Sequence, residues 1–92
     1  MDASASALRA AALELMRRLT NEMLADEALA SAVAQTAEEV ERDGCFGEAE
    51  ALRVVARDHR IRALDRQAQF AGLFEAYRHL QDWLDAGSDR PS

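Results

Sequence analysis

Lysine is absent from this chain, cysteine and proline occur once each, and only four glycines interrupt it. Each scarcity excludes something. Without lysine there is no side-chain amine for a Schiff base or an amine nucleophile. A single cysteine, Cys45, cannot build an intramolecular disulfide framework. The one proline is Pro91, so none breaks a helix in the body of the chain. Val, Ile and Thr together occur only seven times, too few for a sheet-rich fold. No apolar run approaches the roughly 18 residues of a membrane span. The N-terminus lacks the basic region and apolar core of a secretory signal. A cytoplasmic protein that does not enter a membrane is the expectation.

What is present favours helix. Ala occurs 20 times and Leu 11 times; both lose little side-chain entropy in a helix. The fold class expected is all-α. Ala buries little area, so the core must come from 24 larger apolar residues: 11 Leu, four Val, three Met, three Phe and one each of Ile, Tyr and Trp. That suffices for a narrow seam between helices, and a narrow seam implies oligomerisation. At 92 residues the chain reads as one helical domain, 1–92. A short flexible N-terminus (about 1–5) and a disordered tail (about 87–92) are expected at its ends.

Asp43-Gly44-Cys45-Phe46-Gly47 is the only dense turn signal, and it falls near the midpoint. The sequence therefore predicts an antiparallel hairpin of two long arms about the turn at 44–47. In the first arm, Leu8, Ala12, Leu15, Leu19, Leu29, Val33, Thr36 and Val40 share a helical stripe. At a period of 3.5 that seam passes through Glu22 and Asp26. Either one helix spans about 4–42 with acids in its seam to fix register, or it breaks near Thr20-Asn21 or Ala25-Asp26. A break would give a three- or four-helix bundle. Continuity is the reading adopted, because no Gly or Pro marks a break.

The second arm, about 48–85, carries Leu52, Val55, Ala56, His59, Ala63, Phe70, Phe74, Tyr77, Leu80 and Leu84 on its main stripe, with Leu73 at the edge. Val54, Ile61, Leu64 and Ala68 form a second apolar stripe opposite, and Trp83 lies off the main one. A helix apolar on two faces needs more cover than one partner arm provides. Val54, Ile61, Leu64, Ala68 and Trp83 are thus the candidate contacts with a second protein or a second copy, a homodimer being expected.

The net charge of −6 disfavours nucleic acid and anionic membranes as partners. Against that balance, Arg53, Arg57, Arg60, Arg62 and Arg66 form one basic stretch, five Arg against Asp58 and Asp65. The sequence favours an ion-pair zone that matches this stretch to the acidic first arm. The alternative is a nucleic-acid-associated regulator that uses the same arginines.

Chemistry is sparse. Glu75 and His79 share a helix face, but neither histidine has the Glu three residues earlier that paired-helix di-metal sites use. Cys45 has Asp43 and Glu48 nearby, which oppose a thiolate. The Gly-Cys-Phe-Gly turn is no phosphate loop. The sequence therefore predicts no catalytic, metal or cofactor site. It predicts a small non-enzymatic helical interaction module, an adaptor, co-chaperone, assembly factor or regulator, that acts through helix faces.

Overall fold

The computed structural model describes residues 2–88, with side chains over 3–86. Two α-helices make up the fold, α1 (Asp2–Arg42) and α2 (Phe46–Ser88), packed antiparallel along their length. No strand occurs among the described residues. Neither arm breaks, so the bundle alternatives fall away and the hairpin stands. Helix already covers residues 2–5, and α2 runs one residue past Gly87. The tail expected over 87–92 falls largely outside the described residues.

The turn is built by one glycine. Gly44 sits at φ +86°, the left-handed region that a Cβ disfavours. Its N–H donates to the Glu41 carbonyl at 2.9 Å, and the Cys45 N–H donates to the Val40 carbonyl at 3.1 Å. This pair of crossed bonds satisfies the last carbonyls of α1 and reverses the chain. The Cys45 carbonyl then accepts from the Ala49 N–H at 3.0 Å and starts α2. Gly47, expected to share the work of the turn, lies inside the first turn of α2 instead. Of the two, Gly44 alone ends a helix.

The seam between the helices follows a strict heptad. On α1 the seam positions, all buried or half-buried, are Ala5, Arg9, Ala12, Met16, Leu19, Met23, Asp26, Ala30, Val33, Ala37 and Val40, with Thr20, Ala34 and Glu41 half-buried on its flank. On α2 they are Ala49, Leu52, Ala56, His59, Ala63, Arg66, Phe70, Leu73, Tyr77, Leu80 and Leu84, with Arg53 and Gln81 half-buried on the flank. Spacings of three and four alternate without a slip, the pattern of a two-stranded coiled coil. A turn at 43–45 then sets Val40 level with Ala49, Ala37 with Leu52, Val33 with Ala56 and Ala30 with His59. Each of these levels pairs a small side chain with a larger one, which lets the backbones approach closely.

This corrects the expected stripe of the first arm. Leu8, Leu15, Leu29 and Thr36 lie beside the seam and are exposed, and Met16, Ala30 and Ala37 take the interior. On α2, Val55 and Phe74 are likewise outside it. The buried set is Met16, Leu19, Ala30, Ala37, Ala49, Ala56 and Ala63, five of them alanines. Such a core is thin. The molecule is a rod of 75 × 17 × 12 Å with a radius of gyration of 20.7 Å, against about 12 Å for a compact chain of this length.

Candidate interaction surface

Polar side chains occupy the middle of the seam. His59 Nδ1 lies 2.9 Å from the Asp26 Oδ1, and both side chains are largely covered. Asp26 could have capped a new helix by bonding its own backbone. Its partner across the seam takes that role away, and α1 continues. Arg66 Nε lies 2.6 Å from the Glu22 carboxylate. The same Nε makes no well-angled hydrogen bond, so this contact is an ion pair rather than a directed bond. Arg53 pairs with Glu41 nearer the turn. These three cross-helix contacts act at one register only, since a shift of a heptad would separate all of them.

Of the basic stretch, Arg53 and Arg66 thus reach acids of the first helix. Arg57, Arg60 and Arg62 are exposed and form no ion pair among the described residues. Elsewhere the charges pair locally. Arg17 and Arg18 grip Glu14, and the hydrogen bond from Arg17 leads in lowering that carboxyl to about 2. His79 meets Glu75 at 3.3 Å on an exposed face. No group of three metal-ligating side chains occurs among the described residues, and Cys45 is an exposed free thiol.

The apolar surface is more telling. Val54, Ile61 and Leu64 are all exposed, Leu64 to 63%, and so is Ala68. Trp83 is 70% exposed. The structure does not gather these five into one patch. Trp83 shares its side of the hairpin with Leu8 and Leu15, whereas Leu64 belongs to the other side.

On that other side, Leu19, Thr20, Met23, Gln67 and Phe70 line a cavity of about 260 Å³. Leu24 lies one turn after Thr20, and Leu13 two turns before it, so both share its face. Leu64 and Phe74 hold the matching positions around Gln67. Phe74 also stacks on Phe70, with ring centroids 6.3 Å apart. Leu13, Leu24, Leu64 and Phe74, each about half exposed or more, thus rim an apolar hollow that spans both helices. Sequence reasoning found Leu64 and assigned Phe74 to the core; it missed Leu13 and Leu24. The seven-residue spacing from Leu13 to Thr20 and from Gln67 to Phe74 was the available signal.

No described helix is long and apolar enough to cross a membrane. Compared with protein-family models, curated proteins and solved structures, the chain matches none. The surface itself has to carry the functional reading.

Proposed function

We propose that this chain is a non-enzymatic helical interaction module whose work is to present apolar helix faces to another protein chain in an aqueous compartment, the cytoplasm. The observation that carries the reading is the cavity lined by Leu19, Thr20, Met23, Gln67 and Phe70, with exposed Leu13, Leu24, Leu64 and Phe74 at helical spacing on the same face. Contiguous apolar surface of this kind marks association sites on small proteins. Burying one Leu or Phe forgone by exposure is worth roughly 1.5–3 kcal/mol, so a partner covering several of them gains a useful affinity. Adaptors, co-chaperones, assembly factors and regulators all work by such coverage.

The test is capture by the intact tagged chain, compared with the double variant Ile61→Glu and Leu64→Glu. The wild type is expected to retain a specific protein, itself or another, and the variant to lose it while its helicity by circular dichroism persists. A wild-type chain that retains nothing, or a variant that retains the same protein equally well, contradicts the reading.

A second reading has one observation in its favour. Arg57, Arg60 and Arg62 carry charge that no described acid pairs, as a nucleic-acid surface would. Fluorescence anisotropy with RNA and duplex DNA at low salt decides it: binding with a steep salt dependence supports a nucleic-acid regulator. The absence of binding removes it.

A further inference from the structure

Resting on the interaction reading, we propose that the occupant of the rimmed cavity is a second copy of this chain, laid face to face with both turns at the same end, to give a four-helix bundle. The surface area is of the right size. The chain exposes 6770 Å², whereas a compact protein of its mass exposes about 5300 Å². The excess of roughly 1500 Å² exceeds the ~800 Å² that each partner contributes to a standard interface.

The face is self-complementary in this orientation. A two-fold axis parallel to the rod lays α1 of one copy over α2 of the other. Leu24 of each copy then stands within one residue of level with Leu64 of the other, and Leu13 within two of Phe74, because that is their register within one hairpin. Apolar rim meets apolar rim across two facing cavities. A two-fold interface of this type is isologous and closes at two copies.

Charge selects the orientation. Residues 22–43 of α1 carry seven acids and only Arg42, while 53–66 of α2 carries five Arg against two Asp. With the turns together, each acidic segment lies over the basic segment of the other copy. Arg60, which forms no ion pair among the described residues, stands within two residues of level with Glu27 of the other copy in that half. With the turns at opposite ends, the acidic segment would instead lie over residues 2–21 of the other α1, where three Arg face Asp2 and Glu14. That arrangement matches charge less well.

The single native cysteine reports the geometry. Cys45 sits in the turn and is exposed, so a spin label there marks the end of each hairpin. Pulsed dipolar spectroscopy on the intact labelled chain is expected to give a distance of about 10–25 Å, on the order of two helix diameters. It is expected alongside a sedimentation mass of two chains. Leu64→Glu and Leu24→Glu, each at an exposed position, are each expected to halve the mass and abolish the short distance with helicity retained. A dimer whose labels lie far apart, approaching the 75 Å length of the rod, overturns the proposal. So does a dimer that survives both substitutions, or a wild-type monomer. A monomer that still captures another protein through Leu64 overturns the second copy as occupant and leaves the interaction reading standing.

Discussion

At Gly44 the backbone takes φ +86°, where a Cβ costs about 1–2 kcal/mol. Gly72 is the opposite case: it sits in the interior of α2 with open space where a Cβ would go. There glycine only adds freedom to the unfolded chain and weakens the helix by roughly 0.5–1 kcal/mol relative to alanine. Two substitutions of the same chemistry should therefore have opposite signs. Gly44→Ala is expected to lower stability by about 1 kcal/mol or more, and Gly72→Ala to raise it by a smaller amount. Thermal unfolding of both variants checks this, and a shift in the same direction for both would contradict the account of the turn. Gly44 was legible in the sequence because its neighbours offered no other helix stop. That Gly47 does nothing comparable was not legible, since two glycines three apart look alike until the φ angle separates them.

At the scale of the elements, the two helices are held in register by a seam that is small-on-large near the turn and polar at its middle. The sequence showed the helices and their continuity, and it singled out Asp26 as an acid in the seam. It placed Ala12, Leu19, Val33 and Val40 in the seam correctly but put Leu8, Leu15, Leu29 and Thr36 there in place of the neighbouring Arg9, Met16, Ala30 and Ala37. The physical reason is that weighing hydrophobicity favours leucine, whereas close packing of two helices favours alanine. Ala30 and Ala37 are buried because they are small, so the leucines are left on the flank. The Asp26–His59 pair should supply specificity more than stability. A partly covered polar pair often stabilises no better than apolar residues of similar volume, yet breaking it from one side leaves the other group unsatisfied. Each single replacement, Asp26→Leu or His59→Leu, is expected to cost more than the double replacement costs. A double-mutant cycle by denaturant unfolding should return a coupling of about 1 kcal/mol or more. Additive effects would mean that the pair does not fix the register.

At the scale of the whole molecule, the hairpin is a rod whose most buried residues are mostly alanine and about half of whose larger apolar side chains are exposed. The sequence conveyed this imbalance as two apolar stripes on α2, and Leu64 was legible from them. The hollow between the helices was not, because Leu13 and Leu24 come from the other arm and meet Leu64 and Phe74 only once the hairpin closes. Equally, Trp83 is exposed as expected yet lies on the far side, with Leu8 and Leu15. An account in which the exposed rim is the working surface stands or falls on whether that rim is covered in solution. Equilibrium sedimentation of the intact chain and of Leu64→Glu measures this most directly. The account predicts a wild-type mass twice the 10.1 kDa of one chain, and a single-chain mass for the variant. A wild-type mass of one chain, with a cooperative unfolding transition that Leu64→Glu leaves unchanged, would contradict it.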